Sequence, residues 1–167
     1  MENARGIEHP EKVEGANGIV ATKMDLDLAL QINPRVAALL IEQVLNFNYF
    51  AEQLCDEFKQ APEMFTEVYL LSNGGFFLYC LSGADSVVLK QPIRGPAHNL
   101  RLPALSAAAT LCTMFWNLMS FKAAEQGDEQ KSGKLAKLYY NMTEFIFSRC
   151  EGGKEFPNAA EIWRYLD

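Results

Sequence analysis

Three basic side chains lie close together between residues 90 and 101 and could bind an anion. Arg94, His98 and Arg101 occur there with Lys90 and without any acidic residue. Guanidinium groups suit phosphate and carboxylate, and a histidine could transfer a proton to or from such a substrate. The pattern fits a small hydrolase or an anion- or ligand-binding domain, and it also fits an ordinary basic surface loop.

The chain lacks the short motifs that usually mark an enzyme. It contains no GxSxG, HExxH, Walker A or GxGxxG sequence, and Gly74-Gly75 is not followed by the Lys-Ser/Thr pair of a phosphate loop. The carboxylate pairs Asp56-Glu57 and Glu151 with Glu155 fall on polar faces, where solvation is the simpler expectation. We therefore predict no catalytic residue and no cofactor.

Acidic and basic residues are segregated along the chain. Six acidic residues between Glu42 and Glu67 accompany a single lysine, which gives that stretch a net charge of −5. The stretch 88–102 has three basic residues and no acid, a net charge of +3. Such polarity can steer a protein toward a charged partner, and Glu52, Asp56 and Glu57 are the candidate contacts. Plain solvation of a helix remains the alternative.

Neither the cysteines nor the histidines form a metal-binding pattern. The four cysteines stand singly in apolar segments with no CxxC pair, and only two histidines, His9 and His98, occur in the chain. We expect buried free thiols in a reducing compartment, and we predict no metal site.

A polar corner interrupts an apolar stretch at Ser72–Gly75, within LLSNGGFFLY (residues 70–79). Asn-Gly is a strong hairpin signal, because both Asn73 and Gly74 tolerate positive φ. The corner is a candidate binding tip. In the alternative interpretation, Asn73 and Gly74 serve only the dihedral angles of the turn.

The surrounding elements predict an α+β fold, with a small antiparallel sheet of three to four strands among about four helices. Strands are expected at 66–71, 76–81 and 86–91, with a further short strand at 99–102; the sheet should be covered on both faces because neither face is polar. Helices are expected at 34–58, from 103 or 106 to 124, after a cap at Ser132, and after Pro157. The stretch 25–30 fits either a strand or a turn of helix.

Their apolar stripes define the expected core. The first helix should bury Leu40, Val44, Phe47, Ala51, Leu54 and Phe58; the third should bury Leu135, Leu138, Met142, Phe145 and Ile146; the last should bury Ile162, Trp163 and Leu166.

Length, charge and hydropathy limit the organisation and location of the protein. The 167 residues suit one domain, which we place at 26–167 after a flexible N-terminal arm at 1–25. A net charge of −6 argues against non-specific nucleic-acid binding and is too small for DNA mimicry over the whole surface.

The uncharged stretch 102–121 is long enough to span a membrane, but its polar residues favour a buried helix. With no secretory signal in the sequence, we expect a cytoplasmic protein that does not enter a membrane.

The order of these features resembles the ArdB/KlcA antirestriction family of plasmids and other mobile elements. The resemblance covers residues 35–167 and is carried by Tyr69 to Phe76 with its LSNGGF core, Leu105 to Leu111, Tyr139-Tyr140, and Ile162 to Asp167. Phe65 stands near the place of a family tryptophan, Phe77 replaces a usual tyrosine, and the loop 92–103 is longer than expected.

The resemblance implies a compact, non-enzymatic protein that protects incoming DNA from type I restriction enzymes. Its implied partner is a host restriction-modification or other defence protein. A small hydrolase or ligand-binding domain that uses the loop 90–101 remains the alternative. A general adaptor of a mobile element is a third hypothesis.

Overall fold

Six helices and two antiparallel sheets make up the part of the chain that the computed structural model describes, residues 11–59, 67–79, 85–147 and 156–167. This confirms the predicted α+β class. The strands are β1 Lys12–Glu14, β2 Val20–Asp25, β3 Glu67–Leu71, β4 Phe76–Tyr79, β5 Ser86–Leu89 and β6 Leu100–Pro103. The helices are α1 Leu26–Ile32, α2 Pro34–Leu54, α3 Asp56–Lys59, α4 Ala104–Glu125, α5 Glu129–Ile146 and α6 Ala159–Leu166, with single 3-10 turns at Ala16–Gly18 and Pro96–His98.

The N-terminal segment belongs to the larger sheet, whose strand order is β1-β2-β3-β4. Strand β2 pairs with β3 along its length, from Ala21 opposite Leu71 to Asp25 opposite Glu67. The prediction of a flexible arm at 1–25 is therefore wrong for residues 12–25, while residues 1–10 lie outside the described part. The glycines and charges of this stretch concealed both strands in the sequence, and of the two only β1 alternates in burial.

The hairpin at Ser72–Gly75 is confirmed, but the strands do not all join the single sheet that was expected. Strand β3 pairs with β4, whereas β5 pairs with β6 in a separate two-stranded sheet. The predicted short strand at 99–102 supplies that partner. Strand pairing is a non-local choice, and the hydropathy of β5 alone could not specify which neighbour it would take.

Strand β4 is covered on both faces, as its continuous apolar sequence predicted. Phe76 packs on Trp116 of α4, with ring centroids 5.1 Å apart. On the opposite face Phe77 stacks on Tyr69 at 4.9 Å and contacts Phe145 of α5 at 6.1 Å. All five side chains are fully buried. Aromatic contacts on both sides thus join the sheet to the two long helices.

Helix α4 accounts for the long uncharged stretch. Within the described residues it is the one helix apolar and long enough to cross a membrane, with a mean hydropathy of 1.3 over a stretch that is 72% buried inside the protein. Its two threonines stay within the core because they bond locally: Thr110 and Thr113 each donate to the carbonyl four residues earlier at 2.7 Å. Burial inside its own domain explains this composition.

The remaining helices differ from expectation mainly at their ends. Asp25 ends β2 and caps α1 by accepting from Leu28 N at 2.7 Å, which resolves the ambiguous stretch 25–30. The helix predicted at 34–58 is broken at Cys55 into α2 and α3. Helix α5 begins earlier than predicted, because Asp128 and not Ser132 is its cap.

The predicted helical stripes of α2 and α5 are buried wherever the structure describes them, whereas in that of α6 Leu166 is only partly buried and Trp163 is exposed. Phe47, Ala51, Leu54 and Phe58 are buried, as is the whole predicted stripe of α5; the side chains of Leu40 and Val44 lie outside the described part. In α6, Ile162 is buried, but Trp163 is 46% exposed and Tyr165 takes the inward position.

Candidate functional site

The hairpin corner is built around one left-handed residue. Gly74 has φ +97°, while Asn73 is not in the positive-φ region, so only the glycine adopts the conformation that both residues tolerate. Gly74 N donates to Leu71 O at 3.0 Å, and Leu71 N donates to Gly75 O at 2.8 Å. The glycine alone meets the dihedral requirement of the turn.

Asn73 instead uses its side chain to fasten the corner to α5. Its Oδ1 accepts from Gly75 N at 3.1 Å, and its Nδ2 donates to the backbone carbonyl of Asn141 at 2.9 Å. Both ends of the amide are therefore bonded within the protein. The contacts favour the structural interpretation of Asn73 over a projecting binding tip.

Because the corner lies close to α5, substitutions at Gly74 and at Gly75 should destabilise the protein for different physical reasons. A Cβ at Gly75 would lie 2.8 Å from Asn141 Cβ, whereas one at Gly74 would have 3.7 Å to Asn141 Nδ2 but an unfavourable φ. We expect Gly74→Ala to lower the free energy of unfolding by about 1–2 kcal/mol and Gly75→Ala by about 2 kcal/mol through overpacking. Urea titrations followed by circular dichroism measure both. Two variants as stable as the wild type would contradict this description of the corner.

The acidic candidates are exposed but only partly available. Glu52 is exposed on α2. Asp56 forms an ion pair with Lys90 at 2.8 Å, although both side chains are substantially exposed. Glu57 is half-buried, with Oε2 4.0 Å from Cys55 Sγ. A partner that reads this face would therefore compete with an internal ion pair at Asp56.

The basic candidate loop is fastened to the C-terminal helix. Arg94 Nη2 donates to the carbonyls of Arg164 and Tyr165, the latter at 3.2 Å. Buried Gln91 donates to the same Tyr165 carbonyl at 3.1 Å, and Tyr165 OH donates to Lys90 O. A cation at the C-terminal end of a helix satisfies carbonyls that would otherwise lack partners. Arg94 thus has a structural use that an anion would have to displace.

Arg101 and His98 do not join that arrangement. Arg101 is exposed and donates to Ser86 Oγ at 3.1 Å, across the β5–β6 pair. His98 is exposed in the 3-10 turn. The structure therefore gives Arg94 and Arg101 different partners and separate tasks.

The two described cysteines are buried free thiols, as predicted. Burial raises the pKa of both groups, that of Cys112 to about 12. Cys112 Sγ also accepts from Leu78 N at 3.3 Å, which places it against β4. A thiol held in its protonated form is a poor nucleophile and a poor metal ligand. Cys80 and Cys150 lie outside the described residues.

A groove that was not predicted from the sequence lies between α2 and α5. Its volume is about 650 Å³, and the hairpin corner borders it through Gly74. Arg35 from α2 and Lys134 and Lys137 from α5 line it, together with Asn141. The spacing of Lys134, Lys137 and Asn141 by three and four residues marks one helical face, and this signal was available in the sequence. The contribution of α2 depends on tertiary packing.

Comparisons with known proteins leave the family open. The chain matches no protein-family model, and a search of curated proteins gives no match either.

Proposed function

We propose that this protein is a non-catalytic antirestriction protein of a mobile element. It would act in the cytoplasm by binding a protein of the host type I restriction system or of a related defence system. The observation that carries the proposal is the LSNGGF corner, residues 71–76, in which each central residue has a distinct task. Asn73 fastens the corner to α5, Gly74 supplies its left-handed turn, and Gly75 permits close contact with α5.

The burial and the hydrogen bonds of the reactive groups favour a binding function over a catalytic one. Cys112 is fully buried with a raised pKa, and Arg94 is engaged by the carbonyls at the end of α6. Neither group is presented to a substrate in a form suited to nucleophilic or phosphate chemistry. Inhibition by contact needs only a stable surface, which the docked hairpin and long helices supply.

The alternative, a small hydrolase or anion-binding domain built on the loop 90–101, is supported less well. Its strongest candidate ligand, Arg94, already bonds two carbonyls, and Gln91 and Tyr165 hold the loop in the same place. An anion would have to release Arg94 from α6 before it could bind there.

The direct test is restriction of unmodified phage in cells that carry a type I system, with and without this protein. We expect expression to raise the plating efficiency of unmodified phage and to leave that of phage carrying the host's protective methylation unchanged. Parallel strains with type II and type III systems define the target. If purified protein cleaved DNA or hydrolysed nucleotides, and His98→Ala abolished that turnover, the hydrolase interpretation would replace this proposal.

A further inference from the structure

The groove between α2 and α5 concentrates positive charge on a negatively charged protein. Within the described residues, no acidic side chain forms an ion pair with Arg35, Lys134 or Lys137. Glu42, which also lines the groove, pairs with Lys131. The first turn of α2 carries no acidic residue, so the positive end of that helix dipole reinforces the cations near Arg35. A local cationic site therefore exists on a chain with a net charge of −6.

A buried amide in the same groove has no partner among the residues that the structure describes. Asn141 is only 7% exposed, and its backbone carbonyl accepts from Asn73. Among the described residues, nothing forms a hydrogen bond with its side-chain amide. Buried polar side chains are rarely left unpaired, and an asparagine amide can both donate and accept. Asn141 is thus a hydrogen-bonding group that a bound molecule could satisfy.

We propose that this groove binds an acidic peptide segment of a partner protein. Carboxylates of the segment would meet Arg35, Lys134 and Lys137, while an apolar side chain would rest on Leu39 and Leu138 and a peptide group would bond Asn141. The volume of about 650 Å³ is within the range of ligand pockets, about 300–1,000 Å³. The groove adds a binding site to the proposed function. That the partner is a defence protein rests on that proposed function.

Charge and composition favour a peptide over a nucleic acid. A single strand is usually held by a continuous basic track with aromatic side chains for base stacking. No aromatic residue lines the described walls of this groove, and the net charge of −6 opposes a long polyanion. Isolated carboxylates that alternate with apolar side chains match the cations and leucines better.

Fluorescence anisotropy with purified protein tests the proposal through matched probes. The first probe is a fluorescein-labelled peptide that repeats Glu-Leu-Glu-Gly; the others are the Gln-Leu-Gln-Gly version and single-stranded oligothymidylate of equal length. We expect the glutamate peptide to bind best and to shift the amide NMR signals of Gly74, Lys134 and Asn141. Tighter binding of oligothymidylate, or equal binding of the two peptides, overturns the inference.

Paired charge reversals separate the groove from the overall charge. Lys134→Glu with Lys137→Glu, and the control Lys122→Glu with Arg164→Glu outside the groove, both change the net charge from −6 to −10. We expect the first pair to weaken peptide binding about tenfold and the control pair to change it little. Lys134→Gln with Lys137→Gln should give an intermediate loss if the reversal disturbs folding. Equal losses in the two reversed pairs would contradict a specific groove.

The Asn141→Leu variant separates binding from stability. Because leucine has a similar shape and no unpaired amide, we expect an unchanged or higher melting temperature together with weaker peptide binding. Unaltered binding by a folded variant contradicts the role of Asn141. Peptide binding without protection from restriction would defeat the antirestriction proposal alone, whereas protection without peptide binding would defeat this inference alone.

Discussion

Replacing Gly15 by alanine is expected to lower the free energy of unfolding by about 3 kcal/mol. A Cβ at this position would lie 2.3 Å from Phe145 Cδ1 and 2.5 Å from the Phe145 carbonyl oxygen. The backbone of Gly15, with φ −95° and ψ −165°, is acceptable for alanine, so the cost is steric and not conformational. Relief of the clash requires β1 and the following turn to move away from α5.

Gly18 provides the matched control in the same turn. It has φ +72° and nothing within 4 Å of its Cβ position, so Gly18→Ala should cost only about 1 kcal/mol of left-handed strain. Thermal melts should separate the variants, with a fall in the midpoint of about 6–12 °C for Gly15→Ala. If Gly15→Ala melts with or above Gly18→Ala, the segment does not pack on α5 as described.

The dipeptide Asn-Gly occurs at two turns of the structure, one of them in the N-terminal segment. Asn73-Gly74 correctly predicted a hairpin, and Asn17-Gly18 gives the same turn signal within the stretch predicted to be a flexible arm. Asn17 has φ +59°, and its Nδ2 donates to the carbonyls of Glu144 and Phe147 at 2.9 and 3.1 Å. It thereby satisfies carbonyls at the C-terminal end of α5. The turn was predictable from sequence, but its docking site, over a hundred residues away, was not.

Periodicity predicted the helices better than the candidate sites because periodicity is local. The stripe of α5 and the uncharged character of α4 follow from spacing and composition, and both are explained by burial. The hydrogen bonds of Arg94 and Asn73 are made to α6 and α5 respectively. These helices are distant in sequence from the two residues and approach them only when the chain folds. The groove arises in the same way, since Arg35 and Lys134 belong to helices that are distant in sequence.

Truncating Trp116 should have the largest effect on stability, a loss of about 4 kcal/mol for Trp116→Ala. The indole is fully buried, with its ring centroid 5.1 Å from Phe76 and 5.4 Å from Phe115. Its Nε1–H donates to Phe76 O at 3.3 Å, so the side chain holds both the face and the backbone of β4 against α4. Removing it leaves a cavity where the sheet meets the longest helix.

Trp163, the other tryptophan, provides the control for this prediction. It is 46% exposed and meets Phe147 edge-to-face at 5.1 Å, so Trp163→Ala should cost only about 1 kcal/mol. Trp116→Phe keeps an aromatic ring but loses the hydrogen bond, and its cost should lie between those of the two alanine variants. Urea titrations followed by far-UV circular dichroism provide the free energies of unfolding. In the Trp163→Phe variant, Trp116 is the remaining tryptophan, and it should fluoresce with the blue-shifted emission of a buried indole. Equal losses in the two alanine variants, or red-shifted emission from Trp116, would show that α4 does not pack on β4 through this side chain.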